Sequence, residues 1–267
     1  MTRQLYNILV PIDFRARNRW AIQKAVELSN GFGCNIHLLH IGKTNSTKER
    51  SKEQTQKKLE QLKNKFSRHI SGPGKIEVNV VYGNHSEQLV NYVQQHEMDL
   101  IITGLSRFSI LQRLISSVSI SRLSQKIQIP ILAVRASGMV CQYKKIVLPV
   151  GAELPIRQIR LAAMLGRAFK STVYFVSLRR THMGDTSILS QALEVVQSIS
   201  TVPVQTILLE GKNLAKSTLD FSKKINADLI MVNPIRDFQL PGWWNRVTNK
   251  LLSYASHIPV LTVSREK

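Results

Sequence analysis

The side chains best suited to chemistry in this chain are arginines that follow predicted strands. Arg15 and Arg17 come just after the apolar segment 8–12, and Arg107 comes just after the segment 100–103. Guanidinium groups bind phosphate oxygens through paired hydrogen bonds. The loops after parallel strands converge at one edge of a sheet, so these arginines could form a basic cleft for a phosphorylated ligand. The alternative is that Arg107 is a solvated loop residue without a ligand.

The whole chain is strongly basic, with 37 lysines and arginines, 17 aspartates and glutamates, and a net charge of +20. The excess is spread along the chain, because residues 1–138 contain 20 basic and 9 acidic residues and residues 139–267 contain 17 and 8. Such a charge favours acidic partners, including nucleic acid, anionic lipid and phosphorylated ligands, without selecting one. A solvated basic surface is the alternative. The lysine-rich segment 46–70 lacks the interleaved aromatic residues that are typical of single-strand-binding surfaces.

Other reactive residue types show no arrangement that is typical of a catalytic or metal site. The seven histidines have no metal-ligand spacing. His37 and His40 are an odd number of residues apart on a predicted strand, so we expect them to point to opposite faces. Cys34 and Cys141 are too few for a disulfide framework, and reduced core thiols are the simplest interpretation. With no Ser-His-Asp set and no paired carboxylates, the sequence predicts no catalytic residue and no metal.

The composition, with 43% hydrophobic and 20% charged residues, is that of an ordinary globular protein. No apolar run approaches the roughly 18 residues that a bilayer crossing needs. The first ten residues lead straight into a strand and do not have the layout of a signal peptide. We therefore expect a cytoplasmic protein with no membrane partner.

Apolar and amphipathic segments alternate along the whole chain. Near-continuous apolar strands that alternate with helices indicate an α/β fold with a parallel sheet covered on both faces. In the first half the predicted strands are 8–12, 36–41, 76–82, 100–103 and 131–134, and the helices are 20–28 (ended by Asn30-Gly31), 46–70, 86–95 and 110–127. In the second half the strands are 146–150, 173–176, 203–209, 228–232 and 259–263, and the clearest helices are 159–169 and 189–199.

The second half of the chain repeats the first. Asp99-Leu-Ile-Ile-Thr-Gly104 is followed by a strand that begins at Pro130, and Asp228-Leu-Ile-Met-Val-Asn233 is followed at the same distance by a strand that begins at Pro259. We therefore expect two domains, residues 1–137 and 142–267. The short segment between them predicts close packing as an intramolecular pseudo-dimer.

These motifs resemble the universal stress protein family in its tandem two-domain form. The resemblance implies that each half is a doubly wound, Rossmann-like sheet of five parallel strands, of the adenine-nucleotide alpha hydrolase type. It also implies that nucleotide, where it binds, lies at the carboxyl ends of the strands. ATP-binding members carry an aspartate after strand one and, after strand four, a glycine-rich loop that ends in Gly-Ser or Gly-Thr. The segments that carry the resemblance are 8–13, 99–104, 129–134, 146–150, 228–232 and 258–263.

Compared with that pattern, the first half keeps part of a nucleotide site. Asp13 follows strand one and Gly104 follows strand four, but Arg107 replaces the second glycine. A long side chain there hinders the backbone cradle that glycines provide for phosphate, although serines near position 117 are small enough to admit one. The resemblance assigns to the site Pro11, Asp13, Ile41 along the adenine, Gly104, Arg107 and, where Gly-Ser is expected, Ser117 and Val118 or, with a slip of one residue, Ser116 and Ser117.

The second half departs further from the pattern. Gly151 stands in place of the aspartate, Asn233-Pro234 in place of the first loop glycine and its neighbour, and Arg236 in place of the second glycine. Pro234 also removes one backbone donor, and Trp243-Trp244 would fill space in the loop. We expect this domain to lack a nucleotide site.

The sequence as a whole predicts a universal stress-type protein with a binding or regulatory role and no enzymatic activity. Its nucleotide site would be degenerate in the first domain and absent from the second, and no cofactor would be required. One alternative is an ATP-binding protein that hydrolyses ATP slowly in the first-domain cleft. A second alternative is a basic surface that binds nucleic acid or another acidic partner. The candidate partners are thus an adenine nucleotide, a second copy of the chain in a homodimer, and an acidic macromolecule.

Overall fold

The structure is a computed structural model that describes residues 5–43, 49–104, 127, 129–135, 143–151, 153–179, 184–232 and 258–263. The chain divides into two compact units between residues 136 and 137. Each unit is an α/β domain with a parallel sheet. The α/β, Rossmann-like fold that the sequence predicts is therefore confirmed.

The first unit alternates strands and helices. Its described elements are β1 (Asn7–Pro11), α1 (Arg17–Phe32), β2 (Asn35–Gly42), α2 (Glu49–Ser67), β3 (Ile76–Tyr82), α3 (His85–Gln95), β4 (Leu100–Gly104) and β5 (Ile131–Val134). The strands lie in the order β3-β2-β1-β4-β5, with every described pair parallel. Helix α1 packs against β1, β4 and β5, α2 against β3, and α3 against β2. Because helices cover the sheet, Ile8, Leu9 and Val10 of the central strand are fully buried.

The second unit repeats this arrangement. Its described elements are β6 (Lys145–Pro149), α4 (Ile156–Phe169), β7 (Thr172–Leu178), α5 (Gly184–Ile199), β8 (Val204–Leu209), α6 (Leu214–Lys224), β9 (Leu229–Val232) and β10 (Val260–Thr262). The strands lie in the order β8-β7-β6-β9-β10, again in parallel pairs. The core gathers apolar side chains of β6, β7, β9 and α6, including Val147, Val176, Leu219 and Ile230.

The aspartate that begins each repeated segment ties together the starts of two neighbouring strands. Asp99 accepts hydrogen bonds at Oδ2 from the backbone N–H groups of Tyr6, at 2.8 Å, and Asn7, at 3.0 Å. Asp228 accepts one at Oδ2 from the N–H of Lys145, at 3.0 Å. These bonds lie at the amino ends of the strands, so the repeated aspartates serve the fold.

Helix α1 extends beyond the predicted end at Asn30-Gly31 and finishes at Phe32. Gly33 adopts a left-handed conformation, with φ of 72°, and its N–H donates to the carbonyl of Ser29 at 2.7 Å. Asn30 lies on the helix surface, where its side chain bonds the backbone of His69 and Ser71. The left-handed glycine therefore ends the helix, and Asn30-Gly31 does not.

None of the helices in the described ranges has both the length and the apolar character that a bilayer crossing requires.

Candidate functional site

The candidate site lies at the carboxyl ends of β1, β2 and β4 in the first unit. Pro11 ends β1 beside Leu39 of β2, and the N–H of Ile12 continues the pairing by donating to the carbonyl of Leu39 at 2.7 Å. Ile41 lies two residues further along β2 and is buried, and Gly104 ends β4. The loop from Ile12 to Ala16 then leads into α1 across this edge of the sheet.

Asp13 is engaged by the loop that follows it. Its Oδ1 accepts a hydrogen bond from the N–H of Arg15 at 3.2 Å, and its Oδ2 accepts one from the guanidinium group of Arg17. The Arg15 side chain is also near, with its Nε 3.8 Å from Oδ2. The Asp13 side chain is 22% exposed, so the carboxylate faces solvent on one side and cations on the other.

Asn18 closes the same loop. Its Oδ1 accepts from the N–H groups of Asp13 and Arg15, both at 3.1 Å, and its Nδ2 donates to the carbonyl of Pro11 at 3.3 Å. Since the asparagine is buried, these bonds are shielded from water. The loop that presents Asp13 is therefore held in one conformation by its own side chains.

Arg17 is the buried partner of Asp13, with its side chain only 2% exposed. Burial lowers the pKa of Arg17, Asp13 acts in the opposite direction, and Arg15 lowers the pKa further. A guanidinium group stays charged in proteins, so the carboxylate of Asp13 is the counter-charge that makes this burial tolerable. The expectation that Arg17 joins Arg15 as a ligand in an open cleft is not met, because Arg17 lies inside the protein.

Gly104 lies directly against the backbone of Arg17. A β-carbon at position 104 would come within 2.3 Å of the Arg17 carbonyl oxygen and 2.9 Å of its carbonyl carbon. Any side chain there would push β4 away from the start of α1. The glycine therefore has a packing role in this chain, whatever it does for a ligand.

A basic and partly aromatic rim surrounds the end of β2. His40 places Nδ1 2.8 Å from the carbonyl oxygen of Ile12, which makes Nδ1–H the donor, and its ring lies 4.8 Å from that of Phe14. Burial lowers the pKa of His85 at the start of α3, and His40 and Lys43 lower it further. The lowered pKa keeps His85 neutral at neutral pH, so Lys43 is the cation that an anion would meet beside these two imidazole rings.

The predicted opposition of His37 and His40 is confirmed. His37 lies 3.0 Å from the hydroxyl of Tyr92 on α3, whereas His40 bonds the loop after β1. In the described part of the chain, no three His, Cys, Asp or Glu side chains are grouped closely enough to hold a metal ion.

The structure brings Asp13 and Gly104 together through Arg17, which contacts both. Pro11 and Ile41 lie on the adjacent strands β1 and β2. The remaining predicted site residues, Arg107, Ser116, Ser117 and Val118, lie outside the described residues, so their roles stay predictions.

Sequence reasoning missed the burial of Arg17 and the loop closure by Asn18. The spacing of Asp13 and Arg17, four residues apart, was the available signal for an ion pair.

The equivalent edge of the second unit has no carboxylate at the corresponding position. The N–H of Val150 donates to the carbonyl of Val176 at 2.8 Å, in the same way that Ile12 donates to Leu39. The next residue is Gly151, where the first unit has Asp13. Asn233, Pro234, Arg236 and the Trp243-Trp244 pair lie outside the described residues.

Comparisons with known proteins identify the first unit and the fold of both. The model of the universal stress protein family matches residues 5–135. The chain is similar to the crystal structure of a universal stress protein from Archaeoglobus fulgidus DSM 4304, with a TM-score of 0.75, 14% identity, and 99% of this chain and 98% of that chain covered. It is also similar to a protein of unknown function from Pseudomonas aeruginosa PAO1, with a TM-score of 0.64, 15% identity, and 98% and 94% covered. At these identities the likeness shows the fold, and it extends over both units. A search of curated protein sequences finds no match.

Proposed function

Because residues 5–135 belong to the universal stress protein family, we propose that this chain is a cytoplasmic, non-catalytic stress-response protein that works by binding and regulation. In this proposal the first domain keeps a degenerate adenine-nucleotide site and the second domain has none. The observation that carries the proposal is the ion pair between Asp13 and the buried Arg17. In that pair, the aspartate of the nucleotide pattern binds a buried arginine of the protein itself.

Two contacts of Arg17, one through its side chain and one through its backbone, support a degenerate site. A ribose or base that approaches Asp13 must share a carboxylate that already accepts hydrogen bonds at both oxygens. Gly104, the glycine retained from the phosphate loop, is required for packing against Arg17. Both retained residues thus have structural reasons to be present, and neither requires a nucleotide.

The same pair argues for binding over turnover. A carboxylate that activates water or holds a metal ion must be able to move or to give up its present partners. Releasing Asp13 would take its carboxylate away from the buried guanidinium group of Arg17, which is unfavourable. In the second domain Gly151 provides no carboxylate at all, so we assign that domain a structural role.

Thermal unfolding with and without ATP and Mg²⁺ tests the proposal. A site with a dissociation constant near 10 μM would stabilise the domain by about 2.7 kcal/mol at about 1 mM ATP. We expect no such shift. A clear shift in the wild-type protein that is lost in Asp13→Ala would instead establish ATP binding in the first domain.

The aspartate variant needs a matched control, since Asp13→Ala also breaks the ion pair. Asp99→Asn removes a carboxylate from the opposite end of the same sheet, where it supports the start of β1. We expect it to lower stability and to leave the candidate site intact, because these hydrogen bonds lie at the amino ends of the strands. If ATP shifts the unfolding of Asp99→Asn but not that of Asp13→Ala, the loss is specific to the site and the proposed degeneracy is wrong.

A further inference from the structure

Two aromatic rings on the first domain are each covered by a lysine from α2. The ammonium group of Lys58 lies 5.8 Å from the centre of the Phe14 ring, and that of Lys52 lies 5.3 Å from the centre of the Tyr82 ring. Phe14 belongs to the loop after β1, and Tyr82 ends β3. The lysine-rich helix therefore has aromatic neighbours that its own sequence does not supply.

These rings are only partly buried, and the lysines beside them are exposed. On α2 the two lysines are six residues apart, which corresponds to about 9 Å along the helix axis. That distance is between two and three stacking steps of about 3.4 Å in a nucleic-acid strand. The spacing of the two ammonium groups suits phosphates two to three nucleotides apart in one strand better than a single small ligand.

The backbone that carries Phe14 and the backbone that contacts Tyr82 each have an unusual feature. Phe14 has φ of 58°, a left-handed conformation that is uncommon for a bulky side chain and is typical of functional positions. Tyr82 lies against Gly42, where a β-carbon would come within 2.7 Å of the ring. Lys43 follows Gly42 and is exposed, so it adds a third cation at the end of β2.

We propose that Phe14, Lys43, Lys52, Lys58 and Tyr82, here called the α2 face, bind single-stranded nucleic acid. The exposed lysines would turn from the ring faces to phosphates, and the rings so uncovered would stack with bases, which is the combination that sequence-tolerant single-strand binders use. An acidic protein would use the lysines but gain little from the rings. A duplex would also offer phosphates while keeping its bases stacked inside. The inference is independent of the proposed nucleotide site, because it does not require Asp13 or Gly104 to bind a ligand.

Fluorescence anisotropy of a labelled oligothymidylate of about 20 nucleotides tests the α2 face. In about 50 mM salt we expect binding to the full chain that weakens steeply as salt is raised. The double variant Lys52→Gln/Lys58→Gln should bind less tightly and lower the salt slope by about 1.4, or about 0.7 for each phosphate that is no longer neutralised. The double variant Phe14→Leu/Tyr82→Leu keeps the charge and should bind at least about fivefold more weakly at each salt concentration.

A matched control removes the same charge elsewhere. Lys216 and Lys223 are exposed on α6 in the second unit, and Lys216→Gln/Lys223→Gln should bind as the wild type does. An equal loss in this control would show that net charge alone drives binding and would overturn the proposal. So would the absence of binding in low salt, equal affinity for a duplex of the same length, or wild-type affinity in the ring variant. The lysine variants alter exposed side chains only, so the test does not depend on the ring variant folding.

Discussion

Arg17 carries a positive charge into the junction of β1, α1 and β4, with Asp13 as its counter-charge. Removing one member of a buried pair leaves the other uncompensated, and this usually costs about 3–5 kcal/mol. Asp13 is partly exposed, so water can offset some of that cost. We therefore expect Asp13→Asn to lower the free energy of unfolding by about 2–3 kcal/mol, measured by urea denaturation.

The double variant Asp13→Asn/Arg17→Met separates the effect of the unpaired charge from the effect of lost side-chain packing. Methionine fills similar space without a charge, so much of the stability should return. If the double variant is less stable than Asp13→Asn alone, the guanidinium group contributes mainly through packing and the ion-pair interpretation is wrong.

His37 should make the first domain sensitive to mild acid. Its side chain is 6% exposed and lies near Tyr92, Glu77 and His96. Burial lowers the pKa of His37, Glu77 opposes this, and His96 adds to the lowering. The folded state thus holds the neutral form, and an unfolded chain with an ordinary pKa near 6.5 takes up the proton first. The stability that neutral His37 contributes is fully present above that pH. It is lost as the pH falls through 6.5 towards the lower pKa of the folded state.

Urea midpoints at about pH 7.5 and about pH 5.5 measure this effect. We expect a lower midpoint in acid for the wild-type protein and a smaller difference between the two pH values for His37→Phe. His85→Gln is the comparison, because burial also lowers the pKa of His85 but from a more exposed position. A pH difference that is unchanged in His37→Phe would assign the acid sensitivity to other groups.

At the scale of elements, the first helices of the two units, α1 and α4, are followed by different types of left-handed residue. Helix α1 ends at Gly33, with φ of 72°, whereas α4 ends at Lys170, with φ of 53°. A side chain in the left-handed region costs about 1 kcal/mol relative to glycine. Lys170→Gly should therefore stabilise the second domain by up to about 1 kcal/mol, seen as a higher urea midpoint. Lys170→Ala removes the same charge but keeps a β-carbon, so it should not raise the urea midpoint. An equal rise in Lys170→Ala would show that loss of the charge, and not backbone conformation, causes the stabilisation.

The sequence predicts best the strands that are buried on both faces, because burial alone makes them continuous apolar runs. The segments 8–12, 100–102 and 229–232 are apolar throughout because helices cover the sheet, and such runs can be recognised without knowing which strand pairs with which. The end of α1 depends on one left-handed residue, and three nearby candidates, Asn30, Gly31 and Gly33, could each have supplied it. Gly33 takes that role, and Asn30 instead bonds the backbone of His69 and Ser71, which are distant in sequence.

The candidate site is less predictable than the strands for the same reason. Its position at the carboxyl ends of the strands follows from topology. The burial of Arg17 does not, because an arginine in a loop after a strand is usually solvated. The approach of β4 to the start of α1, which Gly104 permits, brings the strand against the backbone of Arg17 and depends on a contact between residues far apart in sequence.

At the scale of the whole molecule, the net charge of +20 should oppose folding at low ionic strength. Like charges repel more strongly in the compact state, and salt screens them over a Debye length of about 10 Å at 0.1 M. We expect sodium chloride to raise the unfolding temperature by about 2–4 °C between about 10 mM and about 200 mM. The same salt should weaken oligonucleotide binding. A flat or falling unfolding temperature would show that the basic groups are already compensated within the fold.

The packing of Gly104 against Arg17 also constrains how the first domain could change over evolutionary time. A lineage that regained glycine at position 107 would still have Asp13 held by Arg17, so the new loop would bring no benefit at once. Losing Arg17 first would remove the buried guanidinium group that pairs with Asp13 and would lower the stability of the domain. Either substitution made first gives a protein that is less stable or binds phosphate no better. Restoring the phosphate loop would therefore require both substitutions before any benefit appeared.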